Sequence, residues 1–535
     1  FRFPFLMDDA RNDAPKMTTY DAIPYPSYSY PSSAPASLNA IARLFGMTPA
    51  EIQTARVLEI GCESGGNILP LAARYPNSEF VGIDLSKGQI DEAKEKAAAL
   101  SLENLRFEAK SILDLKLKKA KFDYIIAHGF YSWVPSNVQR RLLEICGEHL
   151  SKNGVAYVSY NTLPGWNGVK TIRDMMLYHG RNFDDPKEKV NEARRMLNFV
   201  AENIKAASGP YKQTLEQEIS ILQKLDDNYL LHDHLEAVNE PCYFHEFMDK
   251  AAKTGLAYLG DPDLPSMYLG NQAETAAETL KQMDDTVRQE QYMDFIANRR
   301  FRMTLLAKEE VGLNRNLTPE SVKGLRFIPN YNLKQPLEAG VEKTIETLDL
   351  VGLNNPDQTA NMTGRVGCVC YLELLKAAPV ALPVDGIVEA ACKTLEDVPK
   401  ETVLAEFEGM VLRLIFSGII SITADIPGYT QKIADKPEVF KVARLLGLNM
   451  DRVPNMRHET VRLSDDQRVV LQYVNGENTR DEITEAVKGH IDKGEMTINA
   501  DGKPLMPGTA DLEKLLPQYI DAQLAIFAGN ALLEA

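Results

Sequence analysis

The chain has 535 residues, 44% of them hydrophobic and 25% charged, and its 75 acidic and 59 basic side chains give a formal net charge of −16. This composition is typical of a soluble globular protein with enough chain for about three or four domains. Nucleic acids and anionic membranes attract basic surfaces, so the acidic balance argues against either as the main partner. No run of about 18 apolar residues occurs, so we expect no membrane insertion.

The N-terminal region has two parts. Residues 1–16 lack the basic and long apolar regions of a signal peptide, and we expect them to be an extension before Met17. Residues 20–35 mix four tyrosines with four prolines, which disfavours helix and predicts an extended segment. A linker is the simpler interpretation, but the rigid aromatic surface favours a lid over a ligand. Its candidate site residues are Tyr20 for a cofactor, and Tyr25 and Tyr28 for catalysis.

Short β-rich runs alternate with helical stretches between residues 38 and 160. Such alternation forms right-handed βαβ units, so it predicts an α/β fold with a doubly wound, Rossmann-like sheet and ligands at the carboxyl ends of the strands. Residues 167–255 are predicted to be a helical insertion, and residues 256–310 to hold late strands of the same sheet. The predicted strands are 56–60, 79–83, 105–108, 122–127, 155–160, 256–261 and 299–307.

The remaining chain is predicted to be mostly helical. Three helices and a strand in residues 383–427 have the order of a winged helix, but eight acidic side chains face only three basic ones there, which argues against DNA. We therefore expect this unit to contact protein or to be structural. The predicted division is an N-terminal segment 1–37, a sheet domain 38–310, a winged-helix-like domain 311–450 and a helical domain 451–535.

The strongest chemical signal is the sequence VLEIGCESGGN at residues 57–67, followed by VGIDLS at 81–86. A buried strand ends in an acidic residue, runs into a glycine-rich turn and opens a helix, which lets backbone N–H groups approach a ligand closely. Asp84 lies 25 residues after Glu59, at the end of the next strand, where a carboxylate can accept both hydroxyls of a ribose. The two features together indicate an adenosine-type cofactor.

Two cofactor classes use such a turn. A dinucleotide site needs a glycine where this chain has Glu63, whose carboxylate would repel a pyrophosphate. The acidic-x-G-x-G-x-G pattern of class I S-adenosylmethionine methyltransferases matches at Glu59, Gly61 and Gly65, and a cationic donor tolerates carboxylates. We therefore predict a methyltransferase with S-adenosyl-L-methionine as donor and S-adenosyl-L-homocysteine as product. The predicted cofactor contacts are Glu59, Gly61, Cys62, Glu63, Gly65, Asn67, Asp84, Leu85, Ser111 and Ile112.

The loops after the fourth and fifth strands carry the candidates for an acceptor site. They read HGFYSWVP at 128–135 and SYNTLPGW at 159–166, and they contain both tryptophans of the chain. Methyl transfer is an in-line displacement, so the protein must align the reactants, exclude water and, for an amine acceptor, remove a proton from a group of ordinary pKa ~10.4. The candidate catalytic residues are His128, Tyr131, Trp133, Tyr160 and Asn161.

Other polar clusters predict no metal site. The six cysteines are scattered, which is typical of reduced thiols in a cytoplasmic protein, and the C-x-C at 368–370 has no second pair. His232, His234 and His245 near Cys242 are interpreted as helix ends that pack on a sheet. The four arginines between residues 288 and 302 are expected to be ion-paired on a surface or at a domain junction.

At these motifs the chain resembles a bacterial family: class I methyltransferases with a methyltransferase regulatory domain, which includes rickettsial protein lysine methyltransferases of outer-membrane proteins. The resemblance implies S-adenosylmethionine as donor, with Glu59, Gly61, Gly65 and Asp84 in the cofactor roles, and a protein substrate with an acceptor lysine. A small-molecule methyltransferase and a non-catalytic donor-binding adaptor stay open as alternatives. The segments that carry the resemblance are YDAIPYPSYSYPSSAP, LEIGCESGGN, FDYIIAHGFYSWVP, SYNTLPGW, YLLHDHLEAVNEPCYFHEFMDKAAKTGLAYLGD and EQYMDFIANRRFRMTLL.

Overall fold

The computed structural model of the protein describes residues 27–206, 208–338, 340–500 and 503–535. Its centre is a seven-stranded sheet with the order β3-β2-β1-β4-β5-β7-β6. Strands β1 to β5 are parallel to one another, and β7 is antiparallel to both β5 and β6. The predicted doubly wound sheet is therefore confirmed. The strands are β1 (Arg56–Ile60), β2 (Glu79–Asp84), β3 (Leu105–Ala109), β4 (Phe122–Ala127), β5 (Leu150–Asn161), β6 (Leu256–Gly260) and β7 (Phe301–Lys308).

Each face of the sheet has its own apolar core. Alternate strand residues point to opposite faces, so Val57 packs with one core and Leu58 with the other. The first core is covered by α1 (Pro35–Leu44), α2 (Ile68–Arg74) and α3 (Lys87–Ala99). The second is covered by α4 (Ser136–His149) and α9 (Phe244–Ala252).

The insertion after β5 is helical, and its helices bury a third, separate core. Its last helix continues into a π-helical turn, Leu231–Leu235, that returns to the sheet. Such turns are rare and often occur at functional sites, so this segment is a candidate for ligand contact. The helices are α5 (Trp166–Gly180), α6 (Pro186–Asn203), α7 (Pro210–Leu222) and α8 (Asp227–Leu230).

A buried cation lies on β7, against the helix that precedes this strand. The side chain of Arg302 is completely buried and donates to Asp294 and Glu290, each at 2.8 Å. Its expected position on a surface or at a domain junction is therefore wrong, because carboxylates from α11 (Thr286–Ala297) satisfy the guanidinium inside the fold. The helix α10 (Glu274–Lys281) precedes this cluster.

The C-terminal half combines helices with short antiparallel strands, and its apolar core is continuous with the first core of the sheet domain. None of the helices that the structure describes is both long and apolar enough to cross a lipid bilayer. The division of this half at residue 450 remains a prediction. Its helices are α12 (Arg365–Ala377), α13 (Val384–Cys392), α14 (Lys400–Phe416), α15 (Lys441–Leu446), α16 (Asp465–Tyr473), α17 (Arg480–Asp492) and α18 (Ala510–Gly529).

The strands of this half form four small sheets. One of them, the hairpin of β14 and β15, faces the glycine-rich loop of the sheet domain through the turn that joins its strands. The strands are β8 (Arg326–Pro329), β9 (Tyr331–Leu333), β10 (Thr347–Gly352), β11 (Thr359–Thr363), β12 (Leu382–Pro383), β13 (Ile420–Thr423), β14 (Arg452–Pro454), β15 (Thr460–Arg462), β16 (Asn499–Ala500) and β17 (Lys503–Pro504).

Candidate active site

The loop between β1 and α2 needs its glycines for backbone geometry. Gly61 has a φ of 75°, and a side chain there would come within 2.9 Å of the Phe130 ring. A side chain at Gly66 would lie 2.2 Å from the carbonyl oxygen of Ser27. Glu63 also has a left-handed backbone, with a φ of 50°, although it is not a glycine. The loop backbone is thus open to close approach by a ligand and by the N-terminal segment.

A cleft with about 580 Å³ of empty space, part of it open to solvent, lies over this loop. It is bordered by the N-terminal segment 27–30, the glycine loop, the loop after β4 and the π-helical turn. The carboxyl ends of β1 and β4 therefore border the cleft, where a doubly wound sheet usually binds its ligands. Eight predicted site residues line the cleft: Tyr28, Glu59, Gly61, Cys62, Glu63, Asn67, His128 and Trp133.

Asp84 supports the glycine loop from the end of β2. Its carboxylate accepts hydrogen bonds from the backbone N–H of Glu63 at 3.1 Å and of Ser86 at 2.8 Å. It is not among the lining residues of the cleft, so contact with a ribose remains a prediction.

Four further predicted cofactor residues lie beside the cleft or away from it. The Leu85 side chain is exposed, and Ile112 is buried in the second core. Ser111 caps a short 3-10 turn by accepting from the N–H of Leu113 at 3.3 Å. Gly65 is buried with a φ of 86° and shapes the loop. Tyr20 and Tyr25 lie outside the described residues.

Two predicted catalytic residues face away from the cleft. Tyr131 and Tyr160 are buried around Phe247 in the second core, and the Tyr160 hydroxyl bonds to Thr304 at 2.9 Å. Asn161 is buried and is not among the described residues that line the cleft, and its backbone N–H donates to the Ser132 hydroxyl at 2.9 Å. Adjacent strand residues point to opposite faces of a sheet, so Tyr160 and Asn161 cannot both face the cleft.

Tyr157 of β5 is buried behind the cleft and contacts one of its lining residues, His128. Its hydroxyl lies 2.9 Å from Nδ1 of His128, and the His128 ring stacks on Tyr30 with a centroid separation of 3.7 Å. Burial lowers the pKa of His128 to about 4, so the imidazole is neutral at physiological pH. A neutral imidazole can donate one hydrogen bond and accept another within the cleft.

Carboxylates dominate the electrostatics of the cleft wall formed by the glycine loop. Burial raises the pKa of Glu59 to about 8, although the hydrogen bond donated by Asn67 lowers it. Burial and neighbouring carboxylates raise the pKa of Glu63 to about 8 as well. Glu59 Oε2 is buried and has no hydrogen-bond partner. No lysine or arginine is among the described residues that line the cleft. The sulfonium and ammonium of S-adenosylmethionine would supply the missing positive charge, so these residues fit that donor.

Sequence reasoning missed Asp233 and Tyr30, which both line the cleft. Burial raises the pKa of Asp233 to about 6, while His232 lowers it. The signal was the polar cluster HDH at the end of an apolar helix, which we weighed only as a metal site or a packed helix end. His234 instead stacks on Trp166, and His245 bonds to Gln291.

The sheet order, the glycine loop after β1 and the acidic ends of β1 and β2 define a class I methyltransferase. Family models match in three places: a methyltransferase domain at residues 57–154, a predicted methyltransferase regulatory domain at 226–308, and the C-terminal winged helix domain of PKMT at 435–532.

Relatives cover nearly the whole chain. An uncharacterized protein of Rickettsia prowazekii (strain Madrid E) is 38% identical over 517 residues, which are 96% of this chain and 93% of that protein. PKMT2 from Rickettsia typhi in complex with AdoHcy is 32% identical, with a TM-score of 0.87 over 95% of this chain and 100% of that chain. The chain belongs to this family of S-adenosylmethionine-dependent methyltransferases, and its methyl donor is S-adenosylmethionine.

Proposed function

We propose that the protein is a protein lysine N-methyltransferase that acts on bacterial outer-membrane proteins. The observation that carries the proposal is that an acidic residue, Asp233, and two aromatic residues, Tyr30 and Trp133, line the cleft together with the glycine loop. A lysine ammonium is attracted by a carboxylate, and its alkyl chain packs well against aromatic rings. The likeness to PKMT2 from Rickettsia typhi supports a protein lysine as acceptor.

The bound donor supplies an electrophilic methyl group. We assign to Asp233 the attraction of the acceptor ammonium and acceptance of its proton, because a pKa of about 6 leaves the carboxylate ionised at physiological pH. The stacked rings of Tyr30 and His128 would exclude water from the path of the nucleophile. The freed lone pair of the lysine nitrogen then bonds to the methyl carbon, and the electrons of the broken C–S bond stay on sulfur.

The test is incubation of the full chain with isotope-labelled S-adenosylmethionine and a panel of acceptors. The panel holds purified outer-membrane proteins, unrelated lysine-rich proteins and a mixture of small amines and carboxylic acids. We expect mass spectrometry to find methyl-lysine in the outer-membrane proteins and none after their lysines have been acetylated.

Two outcomes contradict the proposal at different levels. Label found only in the small molecules overturns a protein substrate. Equal labelling of every lysine-rich protein leaves lysine methylation in place and overturns the outer-membrane preference.

A further inference from the structure

We propose that His458, in the C-terminal winged-helix domain, is a positioning residue for the methyl donor. It fixes the side chain of Asn67 and, through that amide, the carboxylate of Glu59. The C-terminal half of the chain thereby completes the donor site from outside the methyltransferase domain. This inference concerns donor binding alone, so it does not depend on which acceptor the protein uses.

The contact is direct and buried. Nε2 of His458 donates to Oδ1 of Asn67 at 2.7 Å, across 391 positions of sequence. On its other side, the Asn67 amide donates to Glu59 Oε1 at 2.6 Å and to Ser33 at 3.1 Å. Because both ends of the amide are engaged, it is held in one orientation. The free Oε2 of Glu59 is therefore held at a fixed place in the cleft.

The side chain of Asn67 does not cap α2, although the residue occupies the N-cap position. It precedes α2 at the N-cap position, where asparagine usually accepts from the N–H groups of the first helical turn. Here its backbone is helical, and its side chain makes no capping bond. The side chain instead joins Glu59 to His458, which indicates that this amide serves the cleft rather than the helix.

His458 is held in an uncommon backbone conformation in the turn between β14 and β15. Its φ is 65°, a region that residues other than glycine and asparagine seldom occupy without a compensating gain. Asn455 fixes the turn by accepting from the N–H groups of Arg457 and Glu459 at 2.9 and 2.8 Å. Burial and the charge of Arg74 lower the pKa of His458 to about 3, so the ring stays neutral.

The same hairpin also holds the N-terminal segment over the cleft. Thr460 donates to the carbonyl of Ser29 at 3.3 Å, and the guanidinium of Arg452 lies 5.6 Å from the Tyr28 ring centroid. The N–H of Tyr30 donates to Oδ1 of Asn67 at 3.0 Å. The side chain of Asn67 therefore contacts Glu59, the N-terminal segment and the C-terminal domain. His458 makes the contact from the C-terminal domain.

Calorimetric titration of the full chain with S-adenosylhomocysteine tests the role. His458→Phe keeps an aromatic ring and removes the N–H group that donates to Asn67. We therefore expect the dissociation constant of S-adenosylhomocysteine to rise about tenfold. His458→Gln retains an N–H near the position of Nε2 and should bind within about twofold of wild type. If His458→Phe does not fold, His458→Asn replaces it, since asparagine tolerates the left-handed backbone and is too short to reach Asn67.

Two controls separate positioning from general stability. Val453→Ala creates a cavity in the same hairpin, and it should lower the melting temperature while leaving S-adenosylhomocysteine affinity unchanged. In a double-mutant cycle, adding His458→Phe to Asn67→Ala should cost no further affinity. Additive losses, equal losses in His458→Phe and His458→Gln, or an equal loss in Val453→Ala would each overturn the proposal.

Discussion

The two sides of the cleft are built in different ways. The donor side comes from one continuous stretch, residues 57–67, with Asp84 behind it. The acceptor side is assembled from three distant segments: residues 27–30, the loop after β4 and the π-helical turn. A continuous motif carries its geometry in local sequence, whereas an assembled surface exists only once the insertion and the N-terminal segment have folded onto the sheet. Substitutions on the two sides should therefore change different constants: donor affinity on one side and turnover on the other.

The largest difference between the effect on turnover and the effect on donor affinity is expected for Asp233→Asn. Loss of the proposed proton acceptor should lower kcat by about 10²–10³ with an outer-membrane protein that the labelling experiment shows to be methylated, while the dissociation constant of S-adenosylmethionine stays within about twofold. Asp226→Asn is the matched control, because it removes a nearby charge outside the cleft and preserves the cap on Tyr229 N–H. A loss of donor affinity equal to the loss of turnover would show that the two sides are not separable.

A smaller effect is expected for Asp84→Ala, and it should change donor affinity instead of turnover. The Glu63 and Ser86 amides would lose their acceptor, and any ribose contact would be lost with it. We expect the dissociation constant of S-adenosylmethionine to rise about 30-fold, with kcat at saturating donor little changed. Asp91→Ala on α3, the helix that follows β2, serves as control, because its carboxylate pairs with Lys87 at the surface. Unchanged donor affinity in Asp84→Ala would refute the cofactor role.

The same difference explains what the sequence could predict. Strand boundaries in the first half of the chain, the glycine loop and its acidic neighbours follow from hydrophobic period and local motif. Tyr131 and Tyr160 were misplaced because proximity along the chain does not say which face of the sheet a side chain takes. Asp233 reaches the cleft only through the packing of the insertion, and His458 only through that of the C-terminal half. Neither packing leaves a local pattern.

Charge on the donor side predicts how binding responds to pH. The pKa values of Glu59 and Glu63 are raised to about 8, and a bound cation favours their ionised forms. Donor binding must therefore release protons below pH 8, so affinity rises with pH. We expect S-adenosylmethionine to bind about tenfold tighter at pH 8 than at about pH 6.5.

Calorimetry across this range, in buffers of different ionisation enthalpy, measures both the affinity and the protons released. Glu59→Gln should flatten the profile, and S-adenosylhomocysteine, which lacks the sulfonium charge, should show a weaker rise. A flat profile for S-adenosylmethionine in the wild-type chain would contradict the proposed charge complementarity.

The smallest expected effect tests whether a buried hydroxyl of β5 orients His128 on the acceptor side of the cleft. Tyr157→Phe keeps the buried ring and removes the hydroxyl that lies 2.9 Å from His128 Nδ1. Losing one neutral hydrogen bond should lower kcat about fivefold without changing donor affinity. Tyr124→Phe is a close match on the neighbouring strand, since its hydroxyl bonds to Asn39 and to the carbonyl of Ala50, away from His128. If both variants lose turnover equally, the effect reflects the stability of the sheet; if only Tyr157→Phe does, His128 is oriented by the strand beneath it, and the acceptor side depends on the sheet as well as on the segments folded over it.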